Sequence, residues 1–194
     1  DTFAELRKIT IGVAMYSLSV TPDFVFLCSP CNTKGEHCPT LFEIATGNEI
    51  MQLEIQNAQV FGLQFANNSP LLATCGSDST MRVFDSRDGA LVAKFVESGN
   101  NKLSGVAFSA CDSVAFCGSY SNKIHAVDAQ TGKAIGDVVD ASSYVYHVAC
   151  SHDNSFFVAT TGDAELLIVN NTAAAKRRWA STLLFFQARE LGRG

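Results

Sequence analysis

The sequence has no long apolar run, and this absence excludes the simplest kind of membrane protein. No hydrophobic stretch approaches the roughly 18 residues that an α-helix needs to cross a bilayer. We also expect no secretory signal peptide, and the seven cysteines are odd in number and scattered. Scattered cysteines in a chain without a signal indicate free thiols in a reducing compartment. We therefore expect an intracellular protein, cytoplasmic or nuclear.

Arrangements of residues that are typical of an active site are missing too. None of the four histidines lies near a serine or cysteine in a Gly-x-Ser-x-Gly context, and the carboxylates fall mostly one to a turn. The glycine-containing turns at 76–78 and 161–163 do not precede a helix, so they lack the dipole and the amide cradle that hold a phosphate. We expect no catalytic residues, no cofactor and no enzymatic activity.

Positive charge is scarce outside the C-terminal segment. The net charge is −5, but residues 173–194 hold five Lys and Arg against one Glu, a net +4, which leaves −9 for the rest. Phosphate neutralisation needs Lys and Arg, so this acidic body argues against a nucleic-acid-binding surface. We expect contact with nucleic acid only through the basic tail, if at all.

What the sequence does contain is an internal repeat. Polar residues that end a predicted strand recur at Glu43, Asp85, Asp128 and Asn170, at steps of 42, 43 and 42 residues. The glycines that follow them are Gly47, Gly89 and Gly132. A third mark precedes each copy, at Val20, Phe65, Phe108 and Cys150. Three marks that keep one period indicate a repeat architecture.

Within each period, hydrophobic residues alternate at a spacing of two, and Asn, Asp, Ser and Gly separate the alternating segments. Alternation at this spacing is typical of half-buried strands, and these polar residues favour turns. The chain is therefore predicted to be all-β. The four repeats are expected at about 16–55, 60–95, 104–139 and 145–170, with four strands in each of the first three and three in the last.

The repeats resemble the WD-repeat family over roughly residues 16–170. Residues 81–85 and 124–128 match the apolar-x-apolar-Trp-Asp strand end of that family. The family's Trp is replaced here by Phe42, Phe84, Val127 and Val169, and its Gly-His pair is absent from all four copies. Asp78 and Asp163 resemble the family's turn aspartates, whereas Tyr120 occupies the corresponding turn of the third repeat. The family's Trp-Ser-His-Asp hydrogen-bond network is therefore expected to be mostly missing.

The resemblance implies a β-propeller of about four blades over residues 1–172, expected to be part of a larger ring. The fourth blade would need an outer strand from elsewhere, either near Ile9, Ile11 and Val13 or from residues 183–187. Missing blades or self-association would complete the ring. Residues 173–194 form a separate basic segment, for which docking is favoured over a free tail.

The function implied by the resemblance is a protein–protein interaction scaffold in a multiprotein assembly. In the WD-repeat arrangement, loops on one face would bring Tyr120, Tyr144 and Tyr146 together, and exposed tyrosines are good interface anchors. Trp179, beside the cationic cluster of the tail, is a further candidate for partner binding. The alternative function is a propeller-fold hydrolase or a metal-binding module that uses loops around the channel.

The enlarged turn of the first repeat is a weak candidate for a metal site, formed by Cys31, His37 and Cys38. Cys28 aligns with Cys75 and Cys117 and is expected to be buried as a small hydrophobic residue. A disulfide between Cys31 and Cys38 is an alternative to the metal site. As free thiols, these two cysteines are expected to react first with a thiol reagent.

Overall fold

The chain folds into four antiparallel sheets that follow one another in sequence. The computed structural model describes residues 8–10, 16–23, 25–31, 36–54 and 58–170. The first sheet contains β1 (Ser19–Val20), β2 (Phe26–Ser29), β3 (Thr40–Glu43) and β4 (Glu49–Gln52). The second contains β5 (Val60–Phe65), β6 (Leu71–Gly76), β7 (Thr80–Asp85) and β8 (Leu91–Val96).

The third sheet contains β9 (Leu103–Phe108), β10 (Val114–Ser119), β11 (Lys123–Asp128) and β12 (Ala134–Asp140). The fourth contains β13 (Val145–Cys150), β14 (Phe156–Thr161) and β15 (Leu166–Asn170). No helix occurs in the described ranges, and consequently none there is long and apolar enough to cross a membrane. The all-β prediction and the predicted number of strands in each repeat are confirmed.

A tight turn after the third strand explains the recurring pair of a polar residue and a glycine. The amide of Gly89 donates to the carbonyl of Asp85 at 2.8 Å, and the amide of Gly132 donates to that of Asp128 at 2.9 Å. Both glycines have positive φ, 76° and 70°, a conformation that residues with a Cβ rarely adopt. The repeat marks therefore have a local cause in the backbone of this turn.

The sheets pack face to face through their first strands, because β1 contacts β5, β5 contacts β9 and β9 contacts β13. Glycines allow the closest approach. A Cβ on Gly62 would lie 2.6 Å from the Ser104 carbonyl oxygen, and one on Gly105 would lie 2.8 Å from the Cα of His147. The second strands β6 and β10 are buried along their whole length, whereas the fourth strands face outward and are largely exposed. The core therefore lies between successive sheets.

Two details at the ends of the array differ from, or extend, the sequence prediction. The first strand was predicted from residue 16, but β1 contains only Ser19–Val20. The hydroxyl groups of Ser17 and Ser19 instead accept hydrogen bonds from the backbone of Leu63 and Phe65 in β5, at 3.3 and 3.0 Å. Residues 8–10 form no strand, and the other segments proposed to complete the fourth sheet lie outside the described residues.

Candidate partner-binding site

Three tyrosines meet at one end of the third and fourth sheets. Tyr120 lies in the turn between β10 and β11, Tyr144 precedes β13, and Tyr146 is the second residue of β13. The ring of Tyr120 stacks on that of Tyr144, with centroids 5.0 Å apart and an angle of 17° between the planes. Tyr146 meets Tyr120 edge-on at 5.8 Å. The structure thus places these predicted residues in one cluster, here called the tyrosine cluster.

Backbone hydrogen bonds hold the tyrosine cluster in place. The amide of Tyr120 donates to the carbonyl of Lys102 at 2.9 Å, and the amide of Gly162 donates to the carbonyl of Tyr144 at 2.8 Å. Tyr144 and Tyr146 nevertheless remain 49% and 41% exposed. Burial, followed by the proximity of Tyr146 and Tyr144, raises the pKa of Tyr120 above its ordinary value. Tyr120 is therefore neutral at physiological pH, and backbone hydrogen bonds position Tyr120 and Tyr144.

Carboxylates lie close to the tyrosine cluster. The Ser142 hydroxyl contacts the carboxylates of Asp163 and Glu165 at 2.7 and 3.0 Å. A Cβ on Gly162, the neighbour of Asp163, would lie 3.5 Å from the Tyr144 ring. Exposed π-faces beside negative charge can bind cationic and apolar side chains. The arrangement is chemically suited to binding and offers no activated nucleophile among the residues named. Trp179, the other partner-binding candidate, lies outside the described residues.

A buried acidic network joins the second sheet to the third, and sequence reasoning missed it. Glu97 follows β8 and is only 7% exposed. Its carboxylate accepts hydrogen bonds from the Asn101 amide at 2.8 Å and the Ser119 hydroxyl at 3.2 Å, and it lies 3.6 Å from Nε2 of His125. Nδ1 of His125 in turn contacts the Asp137 carboxylate at 2.8 Å.

Glu97 stands at a repeat position where the sequence does not follow the WD-repeat pattern. It lies between a fourth strand and the next first strand, the place where the WD-repeat family has its Gly-His pair. Burial opposes ionisation of Glu97, but hydrogen bonds from Ser121, Asn101 and Ser119 hold its pKa below the ordinary value. A glutamate followed by small polar residues at this repeat position was the available signal.

The structure does not bring Cys31, His37 and Cys38 together as one ligand set. Sγ of Cys31 lies 3.5 Å from Nδ1 of His37, whereas the Cys38 thiol donates to the Leu53 carbonyl at 3.0 Å. No group of three or more potential metal ligands occurs within the described ranges. All seven cysteines are free thiols, so the alternative of a disulfide between Cys31 and Cys38 is not supported.

The expected order of thiol reactivity requires correction. Cys31 and Cys38 are both buried, and burial raises the pKa of both thiols. Cys111 is the exposed cysteine. Although burial alone would raise its pKa, hydrogen bonds from the Ser113 side chain and backbone lower it below the ordinary value. Cys111 therefore has the properties of the reactive thiol.

Comparison with known proteins agrees with this architecture. Residues 47–85 match the WD40 family, described as WD domain, G-beta repeat. The fold is similar to the crystal structure of the computationally designed Ika4 protein, with a TM-score of 0.67 and 16% sequence identity, over 84% of this chain and 98% of that chain. No curated protein matches the sequence significantly. WD40 repeats generally mediate protein–protein interactions and are typically non-enzymatic. The WD40 repeat at residues 47–85 and the similarity in fold support a WD-repeat β-propeller.

Proposed function

We propose that this protein is a non-catalytic scaffold in a multiprotein assembly and that it binds a partner protein through the tyrosine cluster. The observation that carries the proposal is the stacked pair of Tyr120 and Tyr144 with Tyr146 at its edge, held by backbone bonds yet half exposed. Rigid, exposed aromatic residues lose little conformational entropy on binding, and tyrosine is enriched among interface hot spots.

The surroundings of the tyrosine cluster indicate the chemistry of the partner. Asp163 and Glu165 both contact Ser142, two residues before Tyr144, and the chain outside residues 173–194 carries a net charge of −9. A partner surface with an Arg or Lys next to an apolar side chain would pair with the carboxylates and stack on the rings. The partner is therefore proposed to present a basic and apolar patch.

The test replaces Tyr144 and Tyr146 by alanine in the full chain and compares protein capture with that of the wild type. The matched control is Leu91→Ala/Val96→Ala, which removes two exposed apolar side chains from the outer strand of the second sheet. We expect the tyrosine variant to lose at least tenfold in affinity for partners that the wild type and the control retain, with unchanged circular dichroism. Equal capture by all three proteins would refute this face as the binding site.

The alternative of a hydrolase or metal-binding module has weaker structural support. Its metal candidate is reduced to the contact between Cys31 and His37, and Cys38 is engaged elsewhere. We therefore do not propose this function.

A further inference from the structure

Successive sheets are fastened to each other by a repeated contact between turns. Between the second and third sheets, the carboxylate of Asp112 accepts hydrogen bonds from the amides of Asn67 and Asn68, at 2.8 and 2.7 Å. Between the third and fourth sheets, Oδ1 of Asn154 accepts one from the amide of Ala110 at 2.7 Å. We call this contact the turn clasp.

The turn clasp uses the same two positions of the repeat at both junctions. The donors Asn67 and Ala110 come two residues after the end of a first strand, at Phe65 and Phe108. The acceptors Asp112 and Asn154 come four residues after such an end. Both acceptors have left-handed backbone conformations, with φ of 59° and 57°. The clasp is therefore a property of the repeat and not of one pair of sheets.

At the junction of the first and second sheets, the residues at both positions differ from those of the other junctions, and Ser69 does not form the clasp. The donor position, two residues after Val20, is Pro22, which has no amide hydrogen. The acceptor position is Ser69, whose hydroxyl is buried and has no hydrogen-bond partner. Pro70 follows Ser69, and a residue before proline is disfavoured from helical backbone conformations and pushed toward extended ones. The turn that contains Pro22 and the turn that contains Ser69 are therefore not joined by the hydrogen bond that joins the equivalent turns at the other two junctions.

A cavity of about 610 Å³ opens where the clasp is missing. Its apolar lining comes mainly from Phe26, Leu41, Ile50, Met51 and Phe65, and the turns that contain Pro22 and Ser69 form part of its rim. This volume is within the range of sites that bind small molecules or short segments, roughly 300–1,000 Å³. The cavity is built from turns that follow first and third strands, whereas the tyrosine cluster lies at turns that follow second and fourth strands. The two sites therefore lie at opposite ends of the sheets.

The charges at the rim indicate what this cavity can accept. Arg87 is its cation, but the guanidinium already binds the Asp85 carboxylate through two hydrogen bonds, at 3.0 and 2.5 Å. Asp23 is exposed, and the Thr21 hydroxyl and the Val25 amide hold its pKa below the ordinary value, so it is an anion. An acidic ligand would be repelled, whereas a group that donates hydrogen bonds would be favoured.

We propose that this cavity binds a short, non-acidic peptide segment of a partner protein, with one bulky apolar side chain on its floor and its backbone amides against the rim. At the other two junctions a backbone amide of the neighbouring turn occupies the equivalent place, and Pro22 has removed that amide here. A peptide supplies the missing donor together with an apolar side chain. This site is independent of the tyrosine cluster.

The test uses a minimal probe, N-acetyl-leucine methylamide, with N-acetyl-glycine methylamide as the control compound. Both are titrated into the isotope-labelled full chain while amide chemical shifts are followed by NMR. We expect saturable shifts at residues 21–23 and 66–70 with the leucine compound, and at least tenfold weaker binding of the glycine compound. Absence of saturable shifts, or equal binding of the two compounds, would overturn the proposal.

Variants connect the binding to the missing clasp. The triple variant Pro22→Ala/Ser69→Asp/Pro70→Ser restores the donor and the acceptor, and gives the second turn the Asp-Ser pair of the third sheet. It should raise the melting temperature and weaken binding of the leucine compound at least tenfold. Ser69→Ala, which leaves the cavity open, should bind as the wild type does. Ile50→Trp obstructs the cavity wall without rebuilding a turn and should also block binding. This variant keeps the test decisive if the triple variant does not fold. Undiminished binding to Ile50→Trp or to the folded triple variant would overturn the proposal.

Discussion

Burial divides the seven cysteine thiols into unreactive and reactive groups. Cys28, Cys75 and Cys117 lie in the second strands of their sheets, at different positions of the register, opposite Leu41, Met81 and His125, and all three are fully buried. Desolvation raises the pKa of Cys75 to about 12, since no nearby charge stabilises a thiolate there. Cys111, in the turn after β9, is exposed and has a lowered pKa.

We predict that Cys111 is the first cysteine to react when the native protein meets a small excess of iodoacetamide. Its exposure and its larger thiolate fraction both favour attack, whereas the buried thiols are inaccessible. Peptide mass spectrometry after a short exposure identifies the labelled residue, and Cys111→Ser should slow the loss of the first thiol at least tenfold. Early modification of Cys75 or Cys117 would contradict the fold described above.

The carboxylate of Glu97 should contribute to stability in a pH-dependent way. Its pKa is lowered in the folded protein from an ordinary value of 4.5. The stabilisation is therefore complete above pH 4.5 and is lost as the pH falls through the folded pKa, where Glu97 takes up a proton. The other titratable groups of this network are His125, Asp137 and Lys123, whose ammonium group contacts the Asp137 carboxylate at 2.6 Å.

Glu97→Gln is expected to cost about 1.5–3 kcal/mol of unfolding free energy at neutral pH, because charged hydrogen bonds in a buried site are lost. The variant should also lose less stability than the wild type below pH 4.5. Urea unfolding at several pH values measures both effects. Glu54→Gln, at an exposed position, is the control and should leave the curve unchanged. Parallel pH curves for wild type and Glu97→Gln would show that the network does not act as described.

At the scale of elements, the packing of one first strand on the next depends on residues without side chains. Gly62 and Gly105 occupy the same place in β5 and β9, three residues before the strand ends. In β13 that place is taken by His147, which is exposed. A Cβ at Gly105 would lie within about 3 Å of three backbone atoms of β13, which cannot move aside as a flexible side chain could.

Gly105→Ala is therefore expected to lower the unfolding free energy by about 1–3 kcal/mol through overpacking. His147→Ala, at the equivalent but exposed place of the fourth sheet, should change it by less than about 0.5 kcal/mol. Chemical denaturation of the two variants provides the comparison. An unchanged unfolding free energy for Gly105→Ala would mean that β9 and β13 are farther apart than in the structure.

At the scale of the whole molecule, the fourth sheet presents an apolar surface on its last described strand. Ile124 and Ala126 of β11 are 0% exposed because the fourth sheet covers them. The equivalent residues of β15, four and two positions before Asn170, are Leu166 and Ile168, which are 64% and 63% exposed. β15 is also an edge strand among the described residues, and exposed apolar edges favour association with another chain.

We propose that two copies of this chain associate through this surface when no further blades cover it. Analytical ultracentrifugation should show concentration-dependent association of the wild type, and Leu166→Lys/Ile168→Lys should abolish it because charge is placed in the contact. The matched control Leu91→Lys/Val96→Lys changes two exposed apolar residues of β8, an outer strand, and should still associate. A wild type that stays monomeric at high concentration would refute this proposal.

The sequence by itself determined the all-β class, the number of strands and their places, because these features have local causes. The polar residue and the glycine of the first three periods belong to one turn, and alternation at a spacing of two corresponds to strands whose two sides differ in burial, such as β4 and β15. It also indicated that Tyr120, Tyr144 and Tyr146 would meet, since the resemblance to WD repeats places their loops on one face.

Only the tertiary structure decided what depends on two neighbouring sheets. The stacking of Tyr120 on Tyr144, the burial of Cys31 and Cys38, and the network around Glu97 arise between residues that no local pattern connects. The missing clasp at Pro22 and Ser69 is visible only beside the clasps that form at the other junctions. Local periodicity specifies a strand and its turn, but the space between two sheets is set by the pair of side chains that meet there.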